Sequence, residues 1–340
     1  MRQSQDIQVP LERMSGIVYG VRIQGDLPVE FRPYLLSPAE TGRHLRCLEV
    51  SCQLIHELPP AEECWVQERG VGNAKSRFAL SKRSDGYDLT VRCQGNGVFR
   101  FATEGVAIEW LPGGTGPAHY FFSYALPLWL ELQGVPVLHA SAVASGDRAV
   151  AFMGPSGSGK STLCVALNDR GWDFVADDGL PLSEDEHGDW RCLAAPPLFR
   201  LWPNTLEHLV GPSSTWPKVH EAFEKRAVSV VARYTPTQIE PPALASVYVL
   251  EREPKTTGEV QITTCTGYEP LIHLVQGSVA ASPSAALGLT ASRFKKLSRV
   301  AELTSVKHLR YPSGSEHWKR IAMAVADDLG IGSLVQSPRP

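Results

Sequence analysis

Up to about residue 115, apolar and polar positions alternate in short runs separated by glycine-containing turns. "GIVYGVRIQ" and "RHLRCLEVSCQLI" are rich in β-branched and alternating apolar positions. From Arg77 the alternation becomes a meander. "RFALSKR" is followed by Ser-Asp-Gly, "YDLTVRC" by Gln-Gly-Asn-Gly and "GVFRFA" by Thr-Glu-Gly, and "VAIEWL" closes the run. Side chains that change face at every residue, with tight turns between runs, predict strands joined as hairpins. No cluster of catalytic residue types falls here, so this stretch reads as a scaffold or as a surface that docks an acceptor.

The pattern changes at "LPGGTGP", Leu111 to Pro117, a linker rich in glycine and proline. A short apolar helix is expected near His119 to Gln133. Two apolar runs follow, "VPVLHASAVAS" and "RAVAFMG", divided by the turn signal Gly146-Asp147. "STLCVALNDRG" reads as a helix, because Leu163, Ala166 and Leu167 share a face and Gly171 stops it. "WDFVADD" is the next strand. Strand, glycine-rich loop, helix and strand make a nucleotide-binding α/β unit. Downstream come "PLFRLWP", a helix at "NTLEHLV", strands near "RAVSVVARY" and "ALASVYVLERE", and a terminal helix at "HWKRIAMAVADDLG". The expected division is a β-rich N-terminal domain over 1–117 and an α/β domain over 118–335.

Composition narrows the function classes. The 340 residues are 43% hydrophobic and 20% charged, an ordinary globular balance. A formal net charge of -3, with no Lys/Arg block, gives no electrostatic footprint for nucleic acid. The most membrane-like stretch, "YFFSYALPLWL", is about half the length of a spanning helix and contains Pro127. The N-terminus lacks an apolar signal core. Seven cysteines without a C-x-x-C pair fit reduced cytosolic thiols better than a disulfide frame or a zinc site. The expectation is a cytoplasmic protein with no nucleic-acid or membrane partner.

The chemistry concentrates in "GPSGSGKST", Gly154, Pro155, Ser156, Gly157, Ser158, Gly159, Lys160, Ser161 and Thr162. In such a P-loop, glycines let consecutive backbone N–H groups turn toward an anion, and the helix N-terminus adds partial positive charge. Lys160 reaches the β- and γ-phosphates of ATP, and the Ser161 hydroxyl ligates Mg²⁺. "VADD", Val175 to Asp178, ends an apolar strand with two carboxylates. One acid can hold metal while the other accepts a proton from an attacking hydroxyl. His139 lies on the strand before the P-loop strand; read alone, it is a core or turn residue. Arg200 and Arg226 are candidates for phosphate contact.

Taken together, "VLHASAV", "GPSGSGKST", "DRGWDFVADD", "FRLWP" and "EKRAVSV" resemble the catalytic domain of bacterial HPr kinase/phosphorylase, and more closely its shorter serine-kinase relatives. The resemblance covers about Val137 to Leu250. It implies a P-loop kinase domain of the HPr kinase/phosphoenolpyruvate carboxykinase type, preceded here by the β-rich domain. It implies that Asp177 deprotonates the substrate serine and that Asp178 supports the metal and the substrate. His139 would orient or protonate the reacting phosphate. The chain lacks the Arg-Gly-x-Gly-Ile-Ile signature of true HPr kinases, and "CLAAPPLFRLWP" stands in that region. That departure leaves open HPr as acceptor, the reverse phosphorylase reaction and a hexamer.

Three readings follow. The first is an ATP- and Mg²⁺-dependent kinase acting on a serine of a protein or peptide. The second is a P-loop ATPase switch or assembly factor. The third is a kinase for a small-metabolite hydroxyl. The assembly state is open, with a homo-oligomer among the readings.

Overall fold

The computed structural model describes residues 10–36, 46–71, 74–220, 223–229, 240–255 and 257–331. The fold is mixed α/β with several sheets. Eight strands form the first sheet: β1 (Leu11–Val18), β2 (Val21–Pro28), β3 (Arg46–Leu54), β4 (Glu63–Val71), β5 (Ala74–Lys82), β6 (Tyr87–Arg92), β7 (Asn96–Phe101) and β8 (Gly105–Trp110). Their spatial order is β1-β2-β3-β8-β7-β6-β5-β4. β5 to β8 are the meander, each strand antiparallel to the next. "GIVYGVRIQ" is not one run but a hairpin: Tyr19 and Gly20, at φ 55° and 68°, make its two-residue turn. That turn reaches out of its own sheet. The Tyr19 N–H donates to the Ala194 carbonyl at 2.7 Å, and the buried Tyr19 hydroxyl packs beside Gly179.

The linker leads into a continuous helical segment: α1 (Pro117–Tyr120), a π-turn over Phe121–Ala125, and α2 (Leu126–Leu132). This segment is a wedge of aromatic rings. Phe121 lies 5.4 Å from Phe31, Phe122 stacks on Tyr34 at 4.6 Å, and Tyr124 stacks on Phe78 at 4.4 Å. Trp129 donates its indole N–H to the Ala102 carbonyl at 3.0 Å.

The second sheet follows from β9 (Val137–Leu138), β10 (Ala140–Ser145) and β11 (Arg148–Met153). β10 and β11 form a hairpin closed by Gly146-Asp147, with Gly146 at φ 62°. After helix α3 (Lys160–Asn168), β12 (Asp173–Ala176) pairs antiparallel with β10, on the side away from β11. β13 (Leu180–Glu184) and β14 (Trp190–Cys192) extend the sheet. β15 (Leu198–Leu201), helix α4 (Pro203–Leu209), β16 (Lys218–His220) and β17 (Phe223–Ser229) build a small sheet of order β15-β17-β16. The rest of "RAVSVVARY" and the tail "SPRP" lie outside the described residues. β18 (Ala243–Glu253) runs parallel to β11, and β20 (Ser305–Pro312) runs parallel to β18. β19 (Gln261–Thr264) pairs with β20, and helices α5 (Glu269–Gln276), α6 (Thr290–Leu303) and α7 (Trp318–Asp328) complete the chain.

β11, β12 and β18 therefore point the same way. The glycine-rich loop, the two acids and Arg252 near the end of β18 come to one edge, where ligands bind in sheets of this kind. One hydrophobic cluster joins the two large sheets. It contains Phe31, Phe99 and Trp110 on one side, Phe121 and Trp129 in the wedge, and Leu138, Val175 and Val247 on the other. A second cluster, around Phe152, Leu163, Leu167, Tyr248, Trp318 and Ile321, packs α3 and α7 on the opposite face. No helix among the described residues is long and apolar enough to cross a membrane.

Candidate functional site

The loop after β11 has the backbone that its glycines permit. Gly154, Gly157 and Gly159 have φ of 146°, 84° and 99°. Gly159 is constrained twice, because a Cβ there would stand 2.6 Å from the Trp318 ring. Lys160 folds back over the loop, its Nζ donating to the carbonyls of Gly154 at 2.8 Å and Pro155 at 3.3 Å. Burial lowers its pKa, against the pull of Asp178 and Asp177. Ser158 is buried, its N–H donating to the Pro155 carbonyl, and Tyr311 donates to the Ser158 carbonyl from behind. Ser156, Ser161 and Thr162 line the cleft, and the Thr162 hydroxyl is 3.3 Å from that of Thr205.

The two acids occupy different environments. Asp177 is 3% exposed and both its oxygens are taken. Oδ1 accepts from the hydroxyls of Ser141 at 2.6 Å and Ser161 at 2.7 Å, and Oδ2 accepts the Arg200 backbone N–H at 2.7 Å. Because the Ser161 hydroxyl donates to Asp177, its lone pairs are left for a cation. Asp178 keeps 36% side-chain exposure on the cleft wall. Its backbone is left-handed, φ 77°, one of two non-glycine residues with positive φ among those described. Strained positions of this kind gather at functional sites. Its Oδ2 accepts from Arg200 Nη1 at 3.0 Å. Burial pushes the Asp178 carboxyl up, but Arg200, His139 and Lys225 together bring it well below the usual carboxylate range.

His139 sits at the bend between β9 and β10. Its backbone N–H donates to the Gly277 carbonyl, and its Nδ1 lies 2.9 Å from the Asp178 carbonyl oxygen and 3.5 Å from Oδ1. A donating Nδ1 leaves Nε2 for the cleft. Arg200 is 7% exposed and holds the floor of the site. Arg226 is elsewhere: it pairs with Glu224 at 3.6 Å and the Trp216 carbonyl at 3.4 Å, and it does not line the cleft. Glu224, Lys225 and Arg226 all lie inside β17. Neighbouring strand residues face opposite sides, so Lys225 takes the cleft face, with its ammonium 5.7 Å from the Trp202 ring centre.

Sequence reasoning also missed Arg252 and His119. Arg252 Nη1 lies 3.4 Å from the Gly157 carbonyl, so a cation stands over the loop. Its signal was a basic residue at the end of the strand parallel to β11. His119 is half-buried on the cleft wall, and desolvation with the nearby Arg200 and His220 pushes its pKa down to about 3, so it is neutral at pH 7. Nothing in its local sequence pointed to the cleft.

The cleft has a volume of about 1100 Å³, bounded by the loop on one side and by Trp65 and Phe78 of β4 and β5 on the other. It exceeds the usual ~300–1,000 Å³ of a single small-molecule site. The loop can seat phosphates, Ser161 with Asp177 can hold a divalent cation, and Asp178 can accept a proton.

No family model matches the chain, and no curated protein matches it. Among solved structures it is similar to the Hpr(Ser) kinase/phosphatase from Coxiella burnetii, with a TM-score of 0.30 and 13% identity over 56% of this chain and 89% of that one.

Proposed function

We propose that the protein is an ATP- and Mg²⁺-dependent phosphotransferase that moves the γ-phosphate to a serine hydroxyl of a protein or peptide. The observation that carries this reading is the pair of acids. Asp177 is bonded to Ser161, and Asp178 stands beside it on the cleft wall. A P-loop switch needs only the first acid; a kinase also needs a group for its acceptor's proton.

The roles are exchanged relative to those the resemblance implies. Asp177 serves the metal side through Ser161, and Asp178 serves the acceptor. Mg²⁺, when bound, neutralises charge on the phosphates. The loop amides and Lys160 hold the phosphates, and Arg252 bears on the loop. The serine oxygen forms the new P–O bond, the bond to the β-phosphate oxygen breaks, ADP leaves, and the serine proton passes to Asp178. A carboxylate tied to Arg200 is a weak base, so the reading has Arg200 turn to the transferred phosphoryl group as Asp178 takes the proton. His139 orients Asp178. The width of the cleft and the edge strand β4 on its wall favour a peptide over a small metabolite, and they support acceptor docking on the 1–117 region.

The test is transfer of labelled phosphate from ATP to lysate proteins or candidate peptides, for the parent and Asp178→Asn. Transfer should fall about 10²- to 10⁴-fold with ATP-analogue affinity unchanged. Parent-rate transfer by this variant would remove Asp178 as base. ATP hydrolysis without any labelled acceptor would favour the switch.

A further inference from the structure

Four donor side chains that take no part in the cleft converge where β19, β20 and α5 meet. Cys265 follows β19, Glu269 and His273 stand one turn apart on α5, and His308 is in β20. One ligand atom from each lies within 4.8 Å of the others. Glu269 Oε1 is 2.8 Å from His308 Nε2 and 3.9 Å from His273 Nε2. The two imidazoles meet edge to face, with centres 5.1 Å apart. Cys265 is 6% exposed, and its N–H donates to the Val306 carbonyl at 2.9 Å, which fixes it against β20. Behind His308, Glu251 Oε1 lies 2.6 Å from the buried Nδ1.

We propose that Cys265, Glu269, His273 and His308 form a structural zinc site. One thiolate, two imidazoles and one carboxylate are a donor set for Zn²⁺ and not for Mg²⁺ or Ca²⁺, which take oxygen ligands. Zinc bonds of ~2.0–2.3 Å put tetrahedral ligands roughly 3.4–3.8 Å apart, so the cluster closes by moving inward about 1 Å. Glu251 stands at the far nitrogen of His308 without hydrogen-bond alignment, and the turn of the ring that closes the site would bring the two into the carboxylate–histidine–metal arrangement that sets the tautomer of a ligating histidine. Four protein ligands leave no open position, which marks a structural centre, not a hydrolytic one. Binding releases the Cys265 proton to solvent and involves no redox change. The three ligands around α5 recur every fourth residue, Cys265, Glu269, His273, a spacing that a search for C-x-x-C passes over.

The site would tie α5 to β20. α5 is followed by Gly277, whose carbonyl holds the His139 backbone, and Gln276 and Ser278 line the cleft. The zinc would thus brace one cleft wall from outside, whatever reaction the cleft performs.

The test uses the full chain, stripped with chelator and titrated with Co²⁺ and then Zn²⁺. One equivalent of Co²⁺ should give the visible bands of tetrahedral cobalt with a sulfur-to-cobalt charge-transfer band, and Zn²⁺ should displace it and raise the melting temperature. Cys265→Ser should lose the charge-transfer band. His273→Gln, at a partly exposed position, should weaken Zn²⁺ binding upward of about a hundredfold, and Glu251→Gln about 10- to 100-fold. The metal-free melt of each variant shows whether it is folded. Absence of stoichiometric cobalt uptake by the parent, uptake without the sulfur band, or unchanged affinity in folded His273→Gln would overturn the proposal.

Discussion

Asp177 and Asp178 are adjacent in sequence and opposite in situation. Asp177 accepts three protein hydrogen bonds in near-complete burial, so Asp177→Asn places an amide donor against donors. This variant should lose Mg²⁺-supported nucleotide affinity, partly recover it in excess Mg²⁺, and melt earlier by about 1–3 kcal/mol. Titration calorimetry across Mg²⁺ concentrations, beside a denaturant melt, checks both. Lys160→Ala should weaken binding of an ATP analogue severely, because the one loop side chain that carries a fixed positive charge is removed. The loop and the two acids were legible because each motif has fixed spacing on a strand end, whereas His139 was singled out as a site residue only through the resemblance. Which acid faces Ser161 was not legible, since a left-handed turn at Asp178 decides it. The choice between Lys225 and Arg226 needed the phase of β17 against the cleft, which pattern alone does not set.

Among elements, the glycine-rich loop is held as much from behind as by its own backbone. Tyr311 and Trp318, from β20 and α7, press on Ser158 and Gly159. Gly159→Ala would add a left-handed penalty of about 1–2 kcal/mol and a clash with Trp318. It should lower nucleotide affinity at least about tenfold as well as stability, read by calorimetry and thermal melting. Trp318→Ala in the same chain should relieve the clash but not the backbone strain. The meander β5 to β8 could be read because glycine-bearing turns separate its runs. The β1–β2 hairpin was hidden because its turn, Tyr19-Gly20, falls within an apolar stretch.

At the scale of the whole molecule, the wedge over 117–132 belongs to the packing of both large sheets. A chain beginning at Ala118 would expose Tyr120, Phe121 and Phe122, all buried here. It should be insoluble alone and recover solubility when the 1–117 segment is co-expressed, measured by the soluble fraction. Linker composition indicated a boundary; only packing shows that the aromatic residues after it are shared. A pH effect also belongs here. Glu131, buried beside Arg293, takes the Val137 N–H at 3.0 Å, yet burial outweighs both and raises its pKa to about 7. The folded state thus holds this proton more tightly than the unfolded chain. The stabilisation is complete below about pH 4.5 and is lost as pH rises through about 7, by up to about 3 kcal/mol. Glu131→Gln should flatten that slope, seen in urea melts at pH 5 and pH 8.

The turn at Tyr19 sets an order of assembly. A ribosome delivers this hairpin long before Gly179, Ala194 and Arg200 exist, yet its tyrosine is buried among them in the finished protein. Until β15 has emerged, the nascent chain carries an aromatic side chain without its socket, and the wall behind Asp178 is missing. The cleft is complete only after β15 has joined the sheet, so this hairpin reaches its final place well after it is made.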